Sequence, residues 1–122
     1  MKEEEIICKF RIYDYHELTE ADRLLVDKAK EATQTSYAPF SNFCVGAAAR
    51  LSDNTIVTGS NQENAAYPSG LCAERTALFY ANASHPDQYV KEMAVAAYAH
   101  GDFLTSPIPP CGACRQVILG IE

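Results

Sequence analysis

Apolar residues recur along the chain with two different periods, and this pattern predicts helices packed on a sheet. Ala21, Leu25, Ala29 and Ala32 are spaced as on one face of a helix. Thr19 stands before them and suits an N-cap, because its hydroxyl oxygen can accept an N–H of the first turn. We therefore predict a first helix that begins after Thr19 and turns its apolar face toward a core.

Three apolar runs predict β-strands. Residues 45–51 and 55–60 flank the turn-forming pair Asp53-Asn54, which is typical of a hairpin. The small residues of the first run would allow helices to approach the sheet closely. Residues 93–99 are nearly all apolar, as expected of a strand that is covered on both faces.

Two further helices are predicted, and each starts at a cysteine. One follows Cys72, and the other begins at Cys111 after two prolines, which are favoured in a first helical turn. The order helix, strand, strand, helix, strand, helix indicates an α/β fold in a domain of residues 19–122. Residues 1–18 form an N-terminal extension. Apolar and polar residues alternate between positions 6 and 13, which predicts a strand in a packing or interface arm.

Composition narrows the class of protein. The chain has 122 residues, of which 48% are hydrophobic and 21% charged, and its formal net charge is −6. A nucleic-acid partner is therefore not expected, since it favours a basic surface. The sequence has no apolar run of the ~20 residues that span a membrane, and residues 1–5 are too acidic for a signal peptide. Five cysteines are an odd number, which argues against a disulfide framework and favours a cytoplasmic protein.

Three cysteines have the arrangement of a catalytic zinc site. Cys111 and Cys114 form a Cys-x-x-Cys pair whose sulfurs can reach one ion from a single turn, and Cys72 is the candidate third ligand. Helix N-termini favour thiolates, and both segments are predicted to start helices. Glu74 follows two residues after Cys72. Zinc deaminases pair such a ligand set with a non-ligating Glu that moves protons, and we predict this role for Glu74.

Two arginines lie next to the predicted ligands. Three thiolates on one Zn²⁺ leave a net charge of about −1. Arg75 and Arg115 stand beside the cysteines in the sequence and would offset that charge. A solvated or interface position is the alternative for both side chains.

Four segments, in this order, resemble the small homotetrameric, three-cysteine cytidine deaminase family: residues 36–48, 61–68, 72–77 and 110–117. The resemblance implies a three-layer α/β/α fold with a mixed sheet, here without the usual C-terminal strands. It also implies one zinc ion per chain, a homotetramer, and a small nucleoside as substrate. The implied activity is hydrolytic deamination of cytidine and 2′-deoxycytidine in pyrimidine salvage.

The same resemblance implies roles for single residues. Glu74 corresponds to the catalytic residue, and Phe43, Asn61, Glu63 and Ala73 correspond to substrate-binding residues. Asn61 and Glu63 would bind the 3′-hydroxyl of the sugar. Phe43 would stack on the pyrimidine, because an aromatic face suits a flat base.

Structural interpretations of these residues remain open at this point. Cys44 or Cys8 would complete a structural site of four cysteines, and Cys-Gly-Ala-Cys also resembles a redox pair. In the structural alternative, Glu74 is a first-turn acid that stabilises the helix dipole, Phe43 is a core residue, and Asn61 is a turn-forming residue.

Alternatives also remain for the activity. One is a blasticidin-type nucleoside antibiotic deaminase, which shares the ligand motifs. Another is an inactive zinc-stabilised binding protein, suggested by the short C-terminus. An editing deaminase ranks below both, since its signature has His in place of Cys72.

Overall fold

A computed structural model describes residues 1–121 as three helices around a four-stranded sheet. The helices are α1 (Glu20–Ala32), α2 (Ala73–Ser84) and α3 (Gly112–Gly120), and the strands are β1 (Cys44–Leu51), β2 (Ile56–Ser60), β3 (Val90–Ala99) and β4 (Asp102–Phe103). The last residue of the predicted domain, Glu122, lies outside the described residues. None of the helices formed by residues 1–121 has the length and apolarity needed to cross a membrane.

Local signals in the sequence determine where these elements begin and turn. Thr19 is the N-cap of α1, and its Oγ1 accepts the Asp22 N–H at 3.2 Å. The hairpin of β1 and β2 closes with the Leu51 N–H donating to the Thr55 carbonyl at 2.8 Å. Asn54 lies in that turn with φ of 71°, a left-handed conformation that Asn tolerates well. The predicted helix start and hairpin are confirmed.

The sheet has the strand order β2-β1-β3-β4, and every neighbouring pair is antiparallel. The predicted mixed sheet is therefore wrong for residues 1–121. β2 and β3 both pair antiparallel with β1, so they run parallel to each other, but β1 lies between them. The α2 crossover connects β2 and β3, but these two parallel strands are not hydrogen-bonded to each other in this sheet.

Helices cover both faces of β1, which gives the predicted three layers. Ala48 packs with Leu25 and Ala29 of α1. Ala47, whose side chain points to the opposite face, packs with Ala73 and Ala77 of α2. Small side chains at these positions let the helices approach the sheet backbone, and this approach places the start of α2 beside the sheet.

Two glycines are required by this close approach. A Cβ at Gly46 would lie 2.1 Å from the Ala29 carbonyl oxygen of α1, and one at Gly59 would lie 2.4 Å from the Ala77 nitrogen of α2. Both neighbours are main-chain atoms that cannot rotate away. These contacts confirm that small residues in the first hairpin allow close helix packing.

The predicted strand in the N-terminal extension is wrong. Residues 1–14 form no regular secondary structure and are exposed, with Ile6 at 93% and Ile12 at 84% relative exposure. Alternation alone does not make a strand, because a strand needs a partner for its N–H and C=O groups. The first regular element is a short 3-10 turn, Tyr15–Glu17, where the Tyr15 hydroxyl donates to Asp27 of α1 at 2.9 Å.

Two expectations about burial also need correction. Ala21 is exposed, because the sheet presents Arg50 at this point, and the Arg50 guanidinium donates to the Ala21 carbonyl at 2.7 Å. β3 is covered less completely than its apolar sequence indicates, since Val95 remains 37% exposed. The reason is that α2 packs on β1 and β2 and leaves part of β3 open.

Candidate metal centre

The metal centre lies where α2 and α3 begin side by side. Cys72 is the N-cap of α2, and Cys111 is the N-cap of α3. The Sγ of Cys111 accepts the Cys114 N–H at 3.4 Å, so this thiol takes the place of a capping hydroxyl. Cys72 makes no such capping bond, but both thiols stand at helix N-termini, where negative charge is favoured.

Sulfur atoms from the two helix starts converge at one point. The Sγ atoms of Cys72, Cys111 and Cys114 all lie within 4.8 Å of one another, and those of Cys72 and Cys111 are 3.4 Å apart. Tetrahedral zinc with Zn–S bonds of about 2.3 Å separates its sulfurs by about 3.8 Å. The donor set therefore fits one zinc ion. Within residues 1–121, neither Cys8 nor Cys44 belongs to this cluster, which speaks against a site of four cysteines.

The pKa values of the two thiols at the start of α3 are shifted in opposite directions. The Cys114 N–H, donated to Cys111, lowers the pKa of the Cys111 thiol to about 7. Burial raises the pKa of the Cys114 thiol far above its ordinary value. A Zn²⁺ ion held by these sulfurs would reverse the second effect, because its positive charge would favour the thiolate form of Cys114.

One arginine contacts this centre directly. The Arg75 Nη2 donates to the Cys72 Sγ at 3.6 Å, and this hydrogen bond is the main cause that raises the pKa of Arg75. Its Nε is buried without a hydrogen-bond partner among residues 1–121. Arg115 differs, since its Nε donates to the Pro110 carbonyl at 2.9 Å and thereby holds the loop ahead of Cys111.

Glu74 occupies the first turn of α2 and is only 6% exposed. Burial is the main cause that raises the pKa of the Cys114 thiol, and the negative charge of Glu74 contributes to the same rise. Ala73, its neighbour, is completely buried against the sheet. The start of α2 thus presents a sulfur and a buried carboxylate two residues apart.

A small set of backbone pairings joins the predicted sugar-binding residues to this helix start. Gln62 and Leu71 exchange both N–H···O bonds at 2.9 Å, directly before Cys72. Gln62 also forms a parallel bridge with Tyr37. Gly70 permits the contact, because a Cβ there would lie 2.8 Å from the Gln62 carbonyl oxygen.

The Asn61 side chain is largely occupied within the chain. Its Oδ1 accepts the Val45 N–H at 2.8 Å and the Ser36 hydroxyl, and its Nδ2 donates to the Phe43 carbonyl at 2.8 Å. An amide oxygen has two lone pairs and an amide nitrogen has two hydrogens. One N–H of Asn61 is the part of this side chain that remains for a ligand.

Glu63 is bound to the turn that precedes β1. Its Oε1 accepts the N–H groups of Phe40 at 2.9 Å and Ser41 at 3.2 Å, and its Oε2 accepts the Ser41 hydroxyl at 2.5 Å. These bonds, with the Ser41 hydroxyl as the largest cause, lower the pKa of Glu63. The carboxylate is thus ionised and oriented.

Sequence comparison identifies the family. The pattern of the cytidine and deoxycytidylate deaminase zinc-binding region matches residues 19–122. The chain belongs to the cytidine and deoxycytidylate deaminase family. Zinc is the metal of that region, in agreement with the three converging sulfurs.

Curated members of the deaminase family cover most of the chain. The cytidine deaminase of Halalkalibacterium halodurans is 44% identical over 96 residues, which are 79% of this chain and 68% of that protein. The cytidine deaminase of Sporosarcina psychrophila is 47% identical over 94 residues, which are 77% of this chain and 65% of that protein. The matched residues thus span about two thirds of these relatives' length.

Solved deaminase structures have the same fold. The cytidine deaminase of Burkholderia pseudomallei superposes with a TM-score of 0.69 and 44% identity, covering 84% of this chain and 76% of that one. The Mycobacterium tuberculosis cytidine deaminase has a TM-score of 0.69 and 37% identity, covering 80% of this chain and 75% of that one. The deaminase fold is therefore confirmed.

Within this deaminase fold, sequence reasoning missed two serines. Ser36 donates to the Asn61 Oδ1, and Ser41 donates to the Glu63 Oε2. Both lie inside the segment 36–48 that carries the family resemblance, and this position could have indicated that they belong to the site. Their polar partners, however, are 22 or more residues away, and only the fold brings them together.

Proposed function

We propose that the chain catalyses the hydrolytic deamination of cytidine and 2′-deoxycytidine to uridine and 2′-deoxyuridine, with release of ammonia. The observation that carries this proposal is the convergence of three cysteine sulfurs next to a buried carboxylate, that of Glu74. Zinc deaminases use this combination of ligands and a non-ligating Glu. The curated relatives named cytidine deaminases support the choice of substrate.

Zinc bound by Cys72, Cys111 and Cys114 would supply a Lewis acid that lowers the pKa of a water molecule. The remaining chemistry is proton transfer, which we assign to the Glu74 carboxylate. It takes one proton from the water and delivers it to N3 of the pyrimidine as the water oxygen bonds to C4. It then carries the second proton to the departing amino group, so that ammonia leaves and the C4 carbonyl forms. Water and cytidine thus give uridine and ammonia in balance.

Burial suits Glu74 for this work. A carboxylate that is 6% exposed has little bulk water to compete for its proton. Arg75 assists by holding Cys72 through its hydrogen bond and by offsetting the negative charge of the thiolates. We propose Arg115 as a support of the loop before Cys111, through its bond to Pro110.

The hydrogen-bond inventory supports a defined role for the sugar-binding pair. A 3′-hydroxyl can accept the one free N–H of Asn61 and donate to the remaining acceptor site on the Glu63 carboxylate. Both residues would thus bind the same hydroxyl, one as donor and one as acceptor. Phe43, half-buried just before β1 and held by Asn61, is proposed to stack on the base, and Ala73 at the start of α2 is proposed as a further substrate-binding residue.

We further propose a cytoplasmic homotetramer that acts in pyrimidine salvage, with residues 1–18 as an extension outside the catalytic domain. Exposed aromatic side chains on the loops of residues 36–43 and 61–70 support association with further copies, since water contact with such surface is unfavourable. These side chains are Tyr37, Phe40 and Tyr67, with 56%, 62% and 92% relative exposure.

The test is an ultraviolet assay of cytidine on the purified chain, with ammonia and the zinc-to-protein ratio measured in the same sample. We expect turnover at about one zinc per chain, and Glu74→Gln should keep the zinc but lose at least about a hundredfold in kcat. Parental turnover by this variant would refute the assigned role. Zinc without ammonia release would favour a binding protein, and faster turnover of blasticidin would favour an antibiotic deaminase.

A further inference from the structure

One hydroxyl group links the two residues proposed to bind the sugar and the base. The Ser41 Oγ donates to the Glu63 Oε2 at 2.5 Å and accepts the Phe43 N–H at 3.1 Å. A serine hydroxyl has one hydrogen and two lone pairs, so its hydrogen is committed to Glu63. Among residues 1–121, Ser41 makes no hydrogen bond to the three sulfurs or to Glu74.

We propose that Ser41 is a positioning residue. Its hydroxyl orients the Glu63 carboxylate toward the sugar hydroxyl and fixes the position of that carboxylate relative to the Phe43 ring. This inference rests on the proposed function. Ser41 acts through Glu63 and Phe43 and makes no contact with the reacting atoms.

The backbone holds Ser41 in the conformation that makes both bonds. Asn42 adopts φ of 56°, in the left-handed region that Asn tolerates, and its N–H donates to the Ala38 carbonyl at 3.0 Å. The chain thereby reverses at Ser41, so that its hydroxyl can reach forward to Phe43 and across to Glu63. Without the left-handed residue, the Phe43 N–H would point elsewhere.

Glu63 depends on Ser41 for one of its two oxygens. Its Oε1 is held by the N–H groups of Phe40 and Ser41, which survive a change of side chain. Its Oε2 receives one donor from the chain, the Ser41 hydroxyl, among residues 1–121. This is also the oxygen with capacity left for a ligand, so the loss of Ser41 frees the ligand-binding oxygen from its orienting contact. The lowered pKa of Glu63, caused mainly by the Ser41 hydroxyl, agrees with this contact.

The test compares substrates with and without the 3′-hydroxyl. For Ser41→Ala we expect KM for cytidine to rise about tenfold with kcat changed less than about twofold. The reason is that a Glu63 carboxylate without its orienting contact loses its hydrogen bond from the 3′-hydroxyl of the sugar. With 3′-deoxycytidine, the same substitution should change kcat/KM less than about twofold. Ser41→Thr keeps a hydroxyl and should restore most of the cytidine KM. Ser84→Ala, at the far end of α2, removes an exposed hydroxyl and should leave both substrates unaffected.

Equal losses on cytidine and 3′-deoxycytidine would overturn the inference, because they would reduce Ser41 to a general loop contact. An unchanged KM would overturn it as well. Equilibrium dialysis of uridine and 3′-deoxyuridine repeats the comparison without turnover, and Ser41→Ala should weaken uridine binding alone. A chain that binds uridine in this manner yet releases no ammonia from cytidine would contradict the proposed function and leave the role of Ser41 supported. A chain that does not bind uridine would overturn both.

Discussion

Glu63 is bound to the turn that precedes β1, and it is also the residue that we propose to bind the sugar hydroxyl. Three donors from the Phe40–Ser41 turn hold its carboxylate, and these bonds favour the ionised form. The resulting lowered pKa means that ionised Glu63 stabilises the fold. A group whose pKa is lower in the folded state contributes this stability at pH values above its unfolded pKa. That contribution disappears as the pH falls through the folded pKa.

Side-chain ¹³C NMR should show the consequence for Glu63 directly. We expect Glu63 to titrate below a glutamate in an unstructured peptide of the same local sequence, and Ser41→Ala to raise its pKa toward the peptide value, since Ser41 is the largest cause of the shift. Between these two pKa values, the wild-type turn should keep its bonds while the variant loses them. A Glu63 that titrates at or above the peptide value would contradict the hydrogen bonding described for this turn.

At the scale of elements, the position of the metal centre depends on how closely α2 approaches the sheet. α2 carries Cys72 and Glu74 at its start and lies against β2 at Gly59, where a Cβ would be 2.4 Å from the Ala77 nitrogen. Helix and strand are both hydrogen-bonded backbone, so neither yields locally to an added methyl group. The whole helix must move instead, and its N-terminal sulfur and carboxylate move with it.

Gly59→Ala is therefore expected to destabilise the chain by about 1–3 kcal/mol, the range found for overpacked cores. Urea unfolding measures this change, and zinc titration should show weaker binding because Cys72 is displaced. Gly120→Ala is the matched control, since a Cβ there has no neighbour within 4 Å. We expect the control to equal the parent or exceed its stability by up to about 1 kcal/mol, as a helix gains from Ala over Gly. A Gly59→Ala protein as stable as the control would show that the approach of α2 to β2 can relax.

At the scale of the whole molecule, α3 is attached less firmly than the other helices. α1 and α2 pack on opposite faces of the sheet, whereas α3 packs chiefly against α2. Cys114 is its one residue classed as buried among those described, and three sulfurs connect its start to that of α2. A zinc ion held by these sulfurs would therefore cross-link the two helices in addition to its chemical role.

Removing zinc with a chelator should loosen this part of the molecule first. We expect hydrogen exchange of the α3 amides to accelerate about tenfold or more, while those of β1 change little, because β1 is paired on both sides. The melting temperature should fall as well, since a ligand of the folded state is lost. Uniform acceleration in α3 and β1 would mean that the zinc site stabilises the whole fold equally.

The sequence by itself determined the features that depend on near neighbours in the chain. The α1 start follows from the Thr19 hydroxyl and its Asp22 partner, and the first hairpin follows from the pair Asp53-Asn54. The Cys-x-x-Cys pair is likewise local, because both sulfurs belong to one helical turn. The family was also readable from four short segments, since two of them carry the three cysteines and Glu74 of the zinc deaminase signature.

Only the tertiary structure decided features that need partners far away in the chain. Residues 6–13 alternate like a strand yet remain exposed, because no strand pairs with them within residues 1–121. The sheet is antiparallel because β1 separates the two strands joined by α2. The bonds of Ser41 to Glu63 also span 22 residues, so no local pattern could reveal them. Periodicity specifies which face of an element is apolar, but hydrogen-bond partners and neighbours depend on how the elements pack.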